Sequence, residues 1–126
     1  MRRLLILTVP LFMAVAGCTG SPSTDDWLQQ LKDPDVVKRR EAIRELGGQM
    51  ADAERITPAL AEALRDENRY VRHDAAVTLG KLGPEANRVV PALVDALKDR
   101  ERSVRKAAAQ ALQKINPKGE PEVVRR

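Results

Sequence analysis

Aromatic residues are almost missing from this chain: one Trp, one Tyr and one Phe make up 2% of 126 residues. A core built around large rings is therefore excluded, and the 43% of apolar residues comes chiefly from Ala, Leu and Val. That is the composition of a helical protein with a small-residue core. Cysteine is single, Cys18, so no intramolecular disulfide can form. Histidine is single as well, His73, and one His with one Cys falls short of a structural zinc site. A catalytic thiol needs a base beside it, and His73 lies far along the chain from Cys18. No Gly-rich phosphate loop is present, because Gly47-Gly48 and Gly80-Lys81-Leu82-Gly83 fall where helices are expected to end, not begin. The carboxylates of Glu41 and Glu45, four residues apart, read as a solvated helix face. These absences predict no catalysis, no metal and no cofactor. Charge of one sign is also scarce: 22 basic residues against 18 acidic give +4, with the signs interleaved. A nucleic-acid binder shows a clustered basic footprint, so no nucleic-acid partner is expected.

The one sustained apolar run, Leu4 to Ala16, is about 13 residues long, short of the ~20 that span a bilayer. Arg2 and Arg3 precede it and small residues follow, which is the layout of a secretory signal peptide. Its end, Val15-Ala16-Gly17-Cys18, resembles the lipobox of bacterial lipoproteins, with Val15 where Leu is commoner. The resemblance implies a diacylglyceryl group on the Cys18 thiol, cleavage just before it, and a mature chain starting at Cys18. Loss of Arg2 and Arg3 would leave 20 basic residues against 18 acidic. Each buried methylene adds ~0.8 kcal/mol of membrane affinity, so two or three acyl chains anchor a protein stably. Paired arginines also occur in twin-arginine signals, but the short, strongly apolar segment favours the general secretory route. Thr19-Gly20-Ser21-Pro22-Ser23 reads as a flexible tether. In enteric lipoproteins an Asp after the lipidated Cys marks inner-membrane retention. Thr19 stands there, so the resemblance implies the outer membrane of a Gram-negative bacterium.

Beyond the tether the chain repeats itself. "LKDPDVVKRREAIRELG" from Leu31, "LRDENRYVRHDAAVTLG" from Leu64 and "LKDRERSVRKAAAQALQ" from Leu97 align without gaps at a spacing of 33. Each unit reads as two antiparallel helices. In the second unit, Thr57 and Pro58 suit the cap and first position of helix A, which runs to Arg65 with Leu60, Ala63 and Leu64 on one face. Pro91 plays the same part in the third, and Thr24 with Asp25 and Asp26 opens the first. Asp35, Asn68 and Glu101 mark the start of helix B. Val71, Ala75, Leu79 and Leu82, then Val104, Ala108, Leu112 and Ile115, form its apolar stripe. Gly80 and Gly83 end helix B of the second unit, Gly47-Gly48 the first, and Asn116-Pro117 the third. Such hairpins cannot bury their apolar faces alone and must stack.

The pattern of helix A, "L-x-D" and "VRHDAAVTLG" resembles the HEAT-like repeats named after phycobilisome lyases, over Thr24 to about Asn116. Ankyrin repeats share the period but not the Thr-Pro-Leu-His signature, which is missing here. The resemblance implies an all-α, short right-handed α-solenoid of three helix-turn-helix repeats, 24–56, 57–89 and 90–116, preceded by the signal peptide (1–17) and lipidated tether (18–23) and followed by a tail (117–126). It also implies that Asp33, Asp66 and Asp99 with Arg39, Arg72 and Arg105 form a ladder that fixes the stacking. Lys38 in the column of Val71 and Val104, and Trp27 in a leucine column, fit a terminal cap. Ala107, Ala108, Ala109 and Ala111 make the last helix B small and smooth, an edge for the tail, another subunit or a partner.

What remains is surface. The outward columns of helix B carry Arg40, Tyr70, His73, Val77, Lys81 and Lys106, a basic strip flanked by Glu41, Glu45 and Asp74. It suits an acidic peptide or acidic loop of an unknown envelope protein. The expectation is a lipid-anchored, non-catalytic interaction scaffold of the bacterial envelope. A self-associating stabiliser is the alternative, and a bilin-lyase-like or hydroxylase-like enzyme a remote third.

Overall fold

The computed structural model describes residues 20–118. The lipobox with Cys18, and the tail from residue 119, lie outside the described residues. Among those described, every regular element is helical: α1 (Thr24–Gln30), α2 (Val36–Leu46), α3 (Ala53–Ala63), α4 (Arg69–Leu82), α5 (Val90–Ala96) and α6 (Arg102–Ile115). Short 3-10 segments, Met50–Asp52 and Gly83–Val89, lead into α3 and α5. The odd-numbered helices are the A helices of three hairpins and the even-numbered ones the B helices. Each A helix packs on its own B helix, and α2, α4 and α6 stack in order.

Local chemistry sets most boundaries. Asp35 accepts a hydrogen bond from the Val37 amide at 2.9 Å, and Asn68 one from the Tyr70 amide at 2.9 Å, so both cap their B helices. Glu101 stands at the same place with no side-chain cap bond. The A helices depart from the sequence reading. The cap of α1 is Ser23, not Thr24: the Ser23 amide donates to the Asp26 carboxylate at 2.8 Å, and the Ser23 hydroxyl accepts from the Asp26 amide. Thr24 turns inward, and its hydroxyl meets the side chains of Gln49 and Asp52. Helix α3 begins at Ala53, so Thr57 and Pro58 lie inside it. Thr57 is buried and its hydroxyl donates to the Ala53 carbonyl at 2.6 Å. Pro58 leaves only the Glu54 carbonyl without its helical donor, and Glu54 is exposed, where water can serve.

The core is one seam of small and branched residues. Ile43, Leu46, Ile56, Leu60, Ala75, Ala76, Leu79, Leu93 and Ala108 are all fully buried. Gly80 does not end α4, which continues to Leu82 and stops at Gly83 with φ +61°. Gly80 instead lies against α6: a Cβ there would sit 3.0 Å from Ala111 Cα and 3.3 Å from its Cβ. One repeat earlier, a Cβ at Gly47 would sit 3.0 Å from Thr78 Cγ2. The column is a close-approach position between successive B helices. Ala107, Ala108 and Ala111 are likewise buried, so the alanines of α6 line the inner seam and only Ala109 is exposed.

Replacing Gly80 by Ala gains ~1 kcal/mol of helix propensity but forces backbone apart. A net loss of about 1 kcal/mol is expected, rising to ~2–3 for Gly80→Val, since overpacking costs ~1–3 kcal/mol or more. Gln113, the exposed member of the same column, should tolerate Gln113→Ala with no measurable change in urea denaturation.

Candidate functional site

The turn after each A helix places an aspartate, and the first turns of each B helix place an arginine. The carboxylates accept from backbone amides two residues on, as Asp66 does from Asn68 at 2.8 Å and Asp99 from Glu101 at 2.9 Å. Each arginine first grips its own turn. Arg39 Nη1 donates to the Asp33 and Pro34 carbonyls at 2.8 and 3.0 Å, and Arg72 Nη1 to those of Asp66 and Glu67 at 2.7 and 3.1 Å. The other edge of the guanidinium then reaches the next repeat. Arg72 Nε and Nη2 hold the two oxygens of Asp99 at 2.9 and 3.2 Å. Arg39 Nη2 donates to Asp66 at 3.1 Å, while its Nε lies 3.0 Å from the other oxygen, too bent for a hydrogen bond.

Both pairs are largely withdrawn from water, so they cross-link repeats and offer nothing to a ligand. Burial raises the Asp99 carboxyl, but the Glu101 amide, the hydrogen bond and charge of Arg72 and the charge of Arg100 together hold it below the ordinary carboxylate value. The first and last rungs differ. Asp33 has Lys38 Nζ at 3.8 Å, a cation from its own repeat. Arg105 Nη1 grips the Asp99 and Arg100 carbonyls at 2.6 and 3.1 Å, but among the described residues no carboxylate meets its other edge.

The strip on the B helices is assembled differently from the sequence reading. Arg40 Nε donates to Asp74 at 2.7 Å, so this cation bridges α2 and α4 instead of standing free. His73 Nδ1 lies 3.3 Å from the same carboxylate. The Tyr70 ring, about half exposed, has the Arg40 guanidinium 5.4 Å from its centroid and that of Arg69 at 4.9 Å. The phenol oxygen accepts from Arg69 Nη2 at 2.9 Å, and this hydrogen bond, with the charge of Glu101, raises the Arg69 guanidinium above its usual value. Val37, one repeat before Tyr70 in the same column, is 69% exposed. Val77 is partly buried against the core and belongs to packing more than to the strip. Lys81 and Lys106 are exposed and, among the described residues, form no ion pair.

Arg69 was missed as part of the strip, and Asp74, expected only to flank it, is the carboxylate that pairs with Arg40. The signal for Asp74 was its spacing of 34 from Arg40, one more than the repeat, which places it across the seam.

An open groove of about 410 Å³ between α3 and α5 is lined by Ala61, Leu64, Ala92 and Ala96 and by the Arg72–Asp99 rung. Among the described residues no cluster of three His, Cys, Asp or Glu side chains is placed to hold a metal ion. No described helix is long and apolar enough to cross a membrane.

Successive helical hairpins with a shared seam and an arginine–aspartate rung at each junction define an α-solenoid, a class whose members commonly bind other proteins. The model of the family described as HEAT repeats matches residues 24–113. The chain belongs to the HEAT repeat family. No curated protein matches it.

Proposed function

We propose that the chain is a non-catalytic scaffold of the bacterial cell envelope, tethered to a membrane through acylated Cys18, that binds a protein with an acidic surface. The observation that carries the binding surface is the half-exposed Tyr70 ring between Arg40 and Arg69, with Val37 exposed one repeat earlier in the same column. Tyrosine and arginine are enriched at the energetic centres of protein interfaces, tyrosine because it presents large area at low ordering cost; here both guanidiniums are already held against the ring. Lys81 and Lys106 extend the positive potential around that centre and suit a carboxylate-rich partner. Charge steers the encounter, and Tyr70 supplies the contact. The tether at residues 19–23 would let the solenoid sweep the nearby membrane surface. The lyase-type likeness of "VRHDAAVTLG" is read as likeness of repeat sequence and carries no chemistry here.

Self-association is the weaker reading. Lys38, Glu41 and Glu45 lie exposed on the face of α2 where later repeats place Val71 and Val104, Asp74 and Ala107, Thr78 and Ala111. Head-to-tail stacking would bury those three charges.

Crosslinking in native membranes, read by mass spectrometry, tests both parts of the proposal. Cys18→Ala should abolish acylation and release the protein from the membrane fraction. Tyr70→Ala combined with Lys106→Glu should cut partner recovery at least tenfold, as for an interface centre worth ~2 kcal/mol or more. Unchanged recovery removes this surface. Protein still membrane-bound after Cys18→Ala removes the anchor.

A further inference from the structure

The solenoid's two ends are finished differently, and the second end is incomplete in a specific way. At both internal junctions an arginine anchored by two backbone carbonyls presents its remaining N–H edge to an aspartate from the turn after the next A helix. Arg105 is anchored in the same manner, at 2.6 and 3.1 Å, and among the described residues no carboxylate meets its remaining edge. Beside it Leu97 is 37% exposed, whereas Leu64, its counterpart one repeat earlier, is 5% exposed. Ala109 is exposed where Ile43 and Ala76 are fully buried. An apolar step next to a preset guanidinium is what the second repeat offers to α5.

The internal copies also say what fills such a place. At the junction of the second and third repeats the groove beside Leu64 and Arg72 is walled by Ala96 and Asp99, a small residue and a carboxylate three positions later at a helix end. A further hairpin of this family would have to bring its B helix against Gln113, which stands in the column where Gly47 and Gly80 leave room for the next helix. A second copy fits worse: its first A helix has Gln30 where Ala63 and Ala96 stand, and its α2 brings Lys38, Glu41 and Glu45 to the seam. Among the described residues no helix covers Leu97, at the end of the slot along α5.

We propose that this C-terminal edge docks a single helix of a partner protein, ending in a small residue followed three positions later by an aspartate or glutamate whose carboxylate takes the Nε and Nη2 donors of Arg105. Leu97 receives the helix's small-residue side. This site is separate from the Tyr70 cluster and stands or falls independently of it.

The natural occupant of the preceding slot supplies a probe. A synthetic peptide of residues 86–101 contains α5 and Asp99. Isolated helices of this length are marginal in water, so a Kd of about 1 mM is expected. Titrated into the isotope-labelled full chain, it should shift the Arg105 Nε–H resonance. A peptide with Asp99→Asn should bind about tenfold more weakly, since it loses a charge-assisted bidentate contact. Arg105→Lys in the chain should weaken the Asp peptide similarly while helicity is unchanged, because an ammonium lacks the fork. Equal binding of the Asp and Asn peptides, or no shift at all, overturns the proposal. Binding that emerges only after residues 119–126 are deleted assigns the site to the chain's own tail and overturns it too. An Arg105 resonance that moves with protein concentration alone does the same in favour of a second copy.

Discussion

Arg72→Ala is expected to lower the free energy of unfolding by about 3–5 kcal/mol, the usual cost of removing one member of a buried ion pair. Arg72 and Asp99 side chains are only 6% and 11% exposed, so the carboxylate left behind cannot recover full hydration. The loss includes the bonds to the Asp66 and Glu67 carbonyls, which close the turn before α4. Arg105→Ala supplies the control within one molecule. It removes the same turn-closing bonds but strands no described carboxylate, and a cost near 1 kcal/mol is expected for lost hydrogen bonds alone. Urea denaturation of the two variants should separate them by several fold in midpoint shift. The acid response checks the cause. Asp99 is held below the ordinary carboxylate value in the folded chain. Its contribution is therefore present above the unfolded value of ~3.9 and is lost as pH falls through the folded one. Below about pH 4 the parent should lose stability faster than Arg72→Ala, in which that contribution is already reduced.

Leu79→Ala is expected to cost a further ~2–5 kcal/mol, set by lost burial and by a cavity that the stacked helices cannot close. Leu79 is fully buried in the middle repeat, with hairpins packed on both sides. The same substitution one repeat later, Leu112→Ala, should cost well under half as much. Leu112 is only partly buried, and the end of the stack can relax toward solvent. Thermal unfolding followed by circular dichroism reads both. Equal costs would mean that the third repeat is held as tightly as the second.

Much of this arrangement was legible in the sequence because repetition supplies its own alignment. Once Leu31, Leu64 and Leu97 are set in register, the columns of Asp35 and Asn68 mark the caps of the B helices. The columns of Ala42, Ala75 and Ala108 mark the core. The ends of the A helices were harder. Proline signals a helix start in general, yet Pro58 lies within α3, where the carbonyl it frees belongs to exposed Glu54. Thr57, read as a cap, spends its hydroxyl on the helix backbone from a buried position. Gly80 was read as a terminator for the same reason of average preference. Its need is for space, which only the placement of Ala111 reveals. The contact between Arg40 and Asp74 has no copy at the next junction, where Lys106 stands in the Arg40–His73 column and Ala107 in the Asp74 column, so alignment of the repeats does not reveal it. Such pairs depend on helix rotation, which periodicity alone does not determine.

The glycine column has one further consequence. Length in this rod is a matter of punctuation: residues 57–89 carry everything needed to be read twice, namely a landing strip at Gly80, a clasp at Arg72 and a catch at Asp66 for the clasp before it. A tandem duplication of that segment would slip into the row like an added vertebra. At Gln113 the same column carries a long side chain in place of the landing strip.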